Sequence, residues 1–439
     1  MVIGRGKNPS AQETFMQMAQ ASGLRGRVLV TVGLLLLARI GIAIPMPGIN
    51  RAAFSEAVAS SSGLGGGVLG FLDIFTGGGV SALGIFALGI LPFINASIII
   101  QLLTAALPSL EDLQKNEGEA GRRKISQITR YVALVWGMVQ GTAIAIWANT
   151  YAYQPGTFFI AKTVIALAAG SMFIMWLGEL ITERGIGNGA SLLIFVNIVA
   201  TLPRSLGQTI ALAQADQDRV GGIVILALVF LVTIVGIVFV QEGTRRIPIV
   251  SARRQVGKRM YAEKSSYLPL RLNQGGVMPI IFASTVLILP SFLANALQNQ
   301  AVAKFVGYLQ PNGPTPWFYA LFYLTLILFF SYFYASLVVN PVDMAQNLKK
   351  MGSSIPGIRP GRATSEYIGR VLNRLTLLGA IFLGLVAIVP TAVESATGVT
   401  TFSGFGATSL LILVGVAIDT SRQVQTYVIS QRYEGMVKQ

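Results

Sequence analysis

Long apolar runs recur along the whole chain, separated by shorter polar intervals. Ten of them read as membrane-spanning helices, near residues 28–45, 80–105, 131–148, 158–181, 190–203, 220–240, 276–297, 317–338, 373–391 and 405–427. A helix needs about 20 mostly apolar residues to cross the hydrocarbon core of a bilayer. The fifth run is short, at 14 residues, and Asp419 and Ser421-Arg422 interrupt the tenth. Residues 1–27 are polar and no small-residue cleavage motif follows the first run, so a cleavable leader is not expected there.

The Lys and Arg residues set an orientation. With the N-terminus inside, 27 of the 33 fall in inside segments: residues 5–27, residues 115–130, Arg184, residues 245–271, residues 349–374 and the C-terminal end. Arg51, Lys162, Arg204, Arg219 and Lys304 fall outside, and Arg39 lies in the first span. This is the positive-inside pattern. An odd number of spans would put a large basic loop on the wrong side, so ten spans with both termini cytoplasmic are expected.

Composition sharpens this picture. The chain is 53% hydrophobic with a mean hydropathy of +0.64, and only 12% of its residues are charged. Soluble domains carry about 25% charged residues. A net charge of +15 would point to nucleic acid in a soluble protein, whereas here it marks topology first. Contact with anionic lipid is the simplest use of any single cation. Two cytoplasmic stretches exceed what orientation needs. Residues 241–275 hold Arg245, Arg246, Arg253, Arg254, Lys258, Arg259, Lys264 and Arg271, and residues 339–374 hold Lys349, Lys350, Arg359, Arg362, Arg370 and Arg374. Connections of this length, about 35 residues, are usually functional. Together they offer a basic surface suited to an acidic protein or to RNA.

Several chemistries are excluded. Cysteine and histidine are both absent. That removes disulfides, thiolate and His-type metal sites, Ser–His–Asp triads and histidine proton relays. No Gly-x-x-x-x-Gly-Lys-Ser/Thr sequence occurs, so any energy must come from a partner. The ionisable groups within spans are Arg39, Glu179 and Asp419. An ion-coupled transporter places carboxylates at the midplane, whereas Glu179 and Asp419 sit towards cytoplasmic helix ends, as structural pairs or interfacial groups do.

The connection after the first span is irregular. Gly63, Gly65, Gly66, Gly67 and Gly70 surround and precede an apolar patch ending in Ile74-Phe75, and Gly77-Gly78-Gly79 follow. Glycines on both sides leave such an element free to move, while a fixed re-entrant turn accounts for the same composition. Broken segments at membrane depth need protein or water around them, which places this one in a cavity. Pro92 is read as lying mid-helix in the second span and Pro279 near the start of the seventh, each able to kink its helix. Asn95, Ser97 and Gln101 add polar groups to the second span, where helix–helix hydrogen bonding is the simplest use.

Longer motifs follow the pattern of a known family. Trp176-Leu177-Gly178-Glu179-Leu180-Ile181-Thr182-Glu183-Arg184-Gly185-Ile186-Gly187-Asn188-Gly189 resembles a signature of the SecY/Sec61-alpha family of protein-conducting channels. So do Phe86 through Ile94 with Ile98 through Thr104, Glu117-Gly118-Glu119, Gly121-Arg122-Arg123-Lys124, and Pro356-Gly357-Ile358-Arg359-Pro360-Gly361. Gly406 with Ser409 through Ile412, Gln423 through Thr426, and Tyr433-Glu434 complete the series. The resemblance runs from the first span to the C-terminus.

The resemblance implies an all-α polytopic membrane protein, with ten transmembrane helices in two pseudo-symmetric inverted five-helix halves around a central pore. Inverted repeats of this kind recur among transporters. The halves would be 1–204 and 219–439, joined by an external loop, 205–218. By the same resemblance residues 65–76 are a plug, with Val68, Leu69, Phe71, Leu72, Ile74 and Phe75 covering the vestibule. The family's aliphatic pore ring falls on Ile90, Ile94, Ala190, Ile194, Ile281 and Ile412, Ala190 departing from the usual bulk. Ile90 and Ile94 are four apart, on one helical face. A compliant apolar collar resists water and ions by dewetting while passing a chain of any sequence. A lateral gate between the second and seventh spans would involve Gln101 and Asn273. Arg245, Arg246, Arg253, Arg254, Lys349, Lys350 and Arg359 would dock SecA or the translating ribosome.

The function so implied is a passive, gated channel in the bacterial cytoplasmic membrane, with no catalytic residue, cofactor or metal. It would pass unfolded preproteins, recognise signal sequences and release membrane segments sideways into lipid. SecE and SecG would be its small partner subunits, and DNA would not be a partner. Without the resemblance, an ion-coupled secondary transporter of a small solute is the leading alternative. It calls for a midplane polar site and coupling carboxylates, which the sequence lacks.

Overall fold

The computed structural model describes residues 22–60, 73–115, 118–216, 220–251, 255–256, 259–260, 265–297, 304, 306–309, 315–397 and 407–437. A helix corresponds to each of the ten apolar runs. They are α1 (Ser22–Ala43), α2 (Leu91–Ala106), α3 (Gly118–Asn149), α4 (Thr157–Arg184), α5 (Gly189–Ala215), α6 (Val220–Glu242), α7 (Met278–Leu297), α8 (Pro316–Val338), α9 (Arg362–Thr397) and α10 (Ala407–Val437). Among the described residues, seven helices are long and apolar enough to cross a membrane, and α2 and α7 contribute shorter apolar stretches. On α6, Val224, Leu228, Leu231, Val235 and Phe239 are each more than half exposed. An apolar face of that extent is covered by lipid in a membrane and would be a liability in water.

The chain forms two compact units, one of residues 1–204 with 416–439 and the other of 205–415. The final helix therefore gives its first turns to the second unit and the remainder to the first. The stretch 205–218, read as a loop, is helical through Ala215, because α5 runs on past Pro203. Its Leu, Ala and Gln residues are good helix formers.

Both proline expectations change. Pro92 occupies the first turn of α2, since residues 83–90 are turns and the helix starts only at Leu91. Pro279 follows the first residue of α7 in the same way. A first-turn proline forfeits no intrahelical bond, because its N–H would have been unpaired anyway, so neither one kinks its helix.

In the first unit, Phe54, Leu83, Leu88, Ile144 and Leu167 share a buried cluster. Phe54 meets Trp147 at a ring separation of 4.8 Å and Tyr151 at 5.8 Å. This anchors the segment around residue 83 against α3 and α4. Arg130 on α3 grips Glu179 on α4 bidentately, through Nε to Oε1 and Nη2 to Oε2, both at 2.9 Å. Glu179 is thus a structural ion-pair partner. Near the turn between α4 and α5, Thr31 of α1 accepts a hydrogen bond from the Ile186 N–H at 3.0 Å, and Thr182 accepts one from Gly189 N–H at 2.9 Å.

In the second unit the two long basic connections fold into one body. Strand β1 (Thr244–Ser251) pairs antiparallel with β2 (Ser265–Arg271) from Thr244↔Arg271 to Val250↔Ser265. Its other edge pairs with β3 (Ser353–Ser354) through Val250↔Ser354 and Ser251↔Ser353. Alternate residues of β1 face opposite ways: Ile247 and Ile249 are buried while Arg246 and Pro248 are exposed. The buried pair packs with Leu270, Leu348, Ile355, Ile368 and Leu372. The short helix Pro341–Lys350 completes this body. The Asn340 side chain accepts from the Val342 N–H at its start, and Lys349 and Lys350 lie in its last turn, where the helix dipole favours cations.

Candidate functional site

The sequence points to four groups of residues, and the structure treats them differently. The aliphatic set comes first. Ile90, Ile94, Ile194, Ile281 and Ile412 are all buried, with 2%, 9%, 3%, 7% and 1% of their surface exposed, and Ala190 is half-buried. In the first unit Ile90 immediately precedes α2, and the N–H of Ile94 one turn later donates to its carbonyl at 3.2 Å. Gly178 on α4 brings Ile90 and Ala190 to one place. A Cβ on that glycine would lie 3.2 Å from Ile90 Cδ1 and 3.6 Å from the Ala190 nitrogen. No polar side chain belongs to this set.

The second group is the segment ahead of α2. Val68, Leu69, Phe71 and Leu72 lie outside the described residues; Ile74 is half-buried and Phe75 fully buried. From Asp73 onward the chain closes a tight turn. The Asp73 carbonyl accepts from Gly78 N–H at 2.7 Å and from the Thr76 hydroxyl at 3.2 Å. Its Oδ1 accepts from Ser81 N–H at 2.7 Å, capping a single helical turn over Gly79–Ala82. Burial raises the Asp73 carboxyl above the ordinary aspartate range, and the Ser81 hydrogen bonds pull it partly back.

The third group is the basic body built on β1, β2 and β3. Arg245, Arg246, Lys349, Lys350 and Arg359 are all exposed on it, while Arg253 and Arg254 lie outside the described residues. The Arg246 guanidinium sits 4.9 Å above the centre of the Tyr267 ring, a cation–π contact that holds its charge in place. Arg359 occupies the turn into α9, where its main-chain carbonyl accepts the Thr364 hydroxyl at 2.9 Å. Cations from two distant stretches of sequence thus share one folded body.

Gln101 and Asn273 are engaged locally. Gln101 Nε2 donates to Ser97 Oγ at 3.2 Å along α2. Asn273 Nδ2 donates to the Gly276 carbonyl at 2.7 Å in the turn entering α7. Three side chains that the sequence reading did not place in any site prove to bind backbone here: Arg39, Ser171 and Asn197. Arg39 had stood out only as a charge within a span, and an asparagine in the apolar run of α5 was the available signal for Asn197.

Long apolar helices, a buried turn ahead of α2 and an exposed basic platform place the chain in the class of polytopic helical membrane proteins. Solved structures share this fold. One described as the plug domain of the SecY protein stabilizing the closed state of the translocation channel matches with a TM-score of 0.65, over 92% of each chain at 17% identity. Another, described as the structure of a protein conducting channel, matches at 0.62 over 92% of each chain at 18% identity. The SecY family model matches residues 84–421. The protein translocase subunit SecY of Synechococcus elongatus is 74% identical over 439 residues, all of both chains, and that of Synechocystis is 67% identical over 446 residues. The more distant Aquifex aeolicus protein is 42% identical over 94% of this chain and 97% of its own. The chain belongs to the SecY family. It is a multi-pass, protein-conducting channel subunit and not an enzyme.

Proposed function

We propose that this chain forms the pore through which unfolded secretory polypeptides cross the bacterial cytoplasmic membrane, and from which membrane segments pass sideways into lipid. The observation that carries the reading is the single body built from the two basic connections, with one hydrophobic core beneath exposed Arg245, Arg246, Lys349, Lys350 and Arg359. A passive pore needs an external motor, and this cytoplasmic surface offers fixed cations to the acidic side chains of the SecA ATPase or to ribosomal phosphate. Relatives of the same fold described as ribosome–channel complexes support the second partner. Arg253 and Arg254 extend the cationic run in sequence.

Within the pore, Ile90, Ile94, Ala190, Ile194, Ile281 and Ile412 form the collar, and the segment ending at Ile74-Phe75 is the plug that seals it. Gln101 and Asn273 line the lateral gate. Residues 1–204 and 219–439 are the two halves, with both termini cytoplasmic, and small SecE and SecG subunits complete the complex. The exposed apolar faces of the helices meet lipid directly.

A photoreactive residue at position 94 tests this reading in the reconstituted complex. With SecA, ATP and a secretory precursor stalled part-way, an ATP-dependent crosslink from position 94 to the precursor is expected. Absence of that crosslink, alongside robust uptake of a small solute by the same vesicles, would replace the reading with that of a solute transporter.

A further inference from the structure

The turn at 73–81 fixes its own shape through Asp73, but the bonds within it do not hold it in place. Two side chains from separate spans do. Asn197 on α5, only 7% exposed, donates from Nδ2 to the Phe75 carbonyl at 3.0 Å. Arg39 on α1 donates from Nη1 to the Gly77 carbonyl, also at 3.0 Å. Among the described residues no carboxylate pairs with Arg39. An arginine within a span is expensive unless its charge is used, and here it is aimed at a backbone oxygen.

Gly77 provides an independent sign that the fit is close. Its φ is +69°, a left-handed conformation that side chains rarely adopt. A Cβ there would also collide with the Arg39 guanidinium and lie 2.9 Å from Asn197 Oδ1. The residue between the two donors thus has to be glycine on both counts. Just beyond, Ser171 on α4 donates to the Gly89 carbonyl at 3.0 Å, tying down the other end of the connection to α2.

We propose that Arg39 and Asn197 are positioning residues: they latch the backbone at Phe75 and Gly77, hold the downstream end of the plug segment in its seat, and set how readily the channel unseals. This rests on the plug reading given above. The contact is made to main-chain oxygens, so it does not depend on the side chains of the plug. It consists of one charge-assisted and one neutral hydrogen bond, strong enough to bias a closed state and weak enough to break when a polypeptide enters.

The chain has no cysteine, which supplies a clean reporter. A Cβ built at Gly89 would lie 3.8 Å from Thr76 Cβ, within the range of about 3.5–4.5 Å that disulfides use. Gly89 itself has a φ of +54°, so a cysteine there is strained and every comparison is made within the one Thr76→Cys/Gly89→Cys background. In the full chain reconstituted with its SecE-type subunit, that pair should oxidise to a disulfide. Adding Arg39→Gln and Asn197→Ala should lower the disulfide yield and raise resting ion conductance, each by about tenfold, the scale expected on losing a charge-assisted hydrogen bond. Forcing the disulfide closed with oxidant should return that conductance to the original level. Crosslinking and conductance left unchanged by the two substitutions would overturn the latch, as would a leak that the closed disulfide does not reverse. Deleting residues 66–75 separates the two ideas. If the deletion raises resting conductance while the latch variants do not, only the latch falls; if the deletion changes nothing, the plug reading falls with it.

Discussion

Replacing Arg359 by Glu reverses one charge on the exposed turn that leads into α9, and the structure limits what that reversal can reach. The side chain is exposed, and among the described residues it enters no ion pair. What ties this turn down is its main chain, whose carbonyl takes the Thr364 hydroxyl at 2.9 Å and would do so equally from Glu. The nearby Arg362–Glu366 pair at 2.9 Å is a separate surface contact. Exposed substitutions away from caps and cores usually shift stability by no more than about 0.5 kcal/mol, so thermal unfolding should be almost unmoved. Docking should respond very differently. Removing one side of a desolvated charge pair costs an interface about 2–5 kcal/mol. At about 1.4 kcal/mol per decade, that weakens a complex by about 30-fold to several thousand-fold. The assay is SecA affinity for proteoliposomes at fixed ionic strength, read beside precursor transport and the unfolding midpoint. Transport retained at the parental level would refute the docking role, and a matching loss of thermal stability would show that the turn is structural.

Other perturbations divide along the same lines. Ile368→Ala empties a fully buried position in the core beneath the platform, a change that typically costs about 2–5 kcal/mol; limited proteolysis should cut the β1–β2 hairpin faster, and an unchanged cutting rate would show that this core does not hold the sheet. Gly379→Val places a Cβ 2.7 Å from the Leu272 carbonyl, and overpacking of this kind costs about 1–3 kcal/mol; an unfolding midpoint equal to that of the parent would rule out so close an approach between α9 and the entry to α7.

The ten spans were legible because lipid demands length and apolarity, which a single sequence displays directly. The ends of the helices were less so. The apolar run of α5 stops near Pro203 and that of α10 at residue 427, yet the helices continue to Ala215 and Val437, where Leu, Ala, Gln and Arg favour the helix. Pro92 was misplaced for a related reason: the apolar turns at 83–90 look like helix to any measure of hydrophobicity. The sheet had a signal in the alternation of Arg246, Ile247, Pro248 and Ile249, but its pairing of residues 250 and 354 across a hundred positions did not. The contacts of Arg39 and Asn197 leave no pattern either, since their acceptors are backbone oxygens that every residue carries.

On the docking role proposed above, the composite platform joins the docked surface to the helices behind it. Strand β1 follows α6 almost directly, and β2 leads through the 272–277 turn into α7. The two strands are stitched together at their base, where Leu272 N–H donates to the Gly243 carbonyl at 2.9 Å. Pro341–Lys350 continues from α8, and β3 precedes α9. Four helices of the second unit thus end in one small sheet with one hydrophobic core. Packed interiors have low compressibility and transmit strain, so a partner that displaces the sheet is expected to press on the turn entering α7. That turn carries Asn273, whose side chain holds it closed, and Ile281 lies on α7 just beyond. A pair of flexible loops bearing the same charges would have to be ordered on binding, at a cost in affinity that the folded platform avoids.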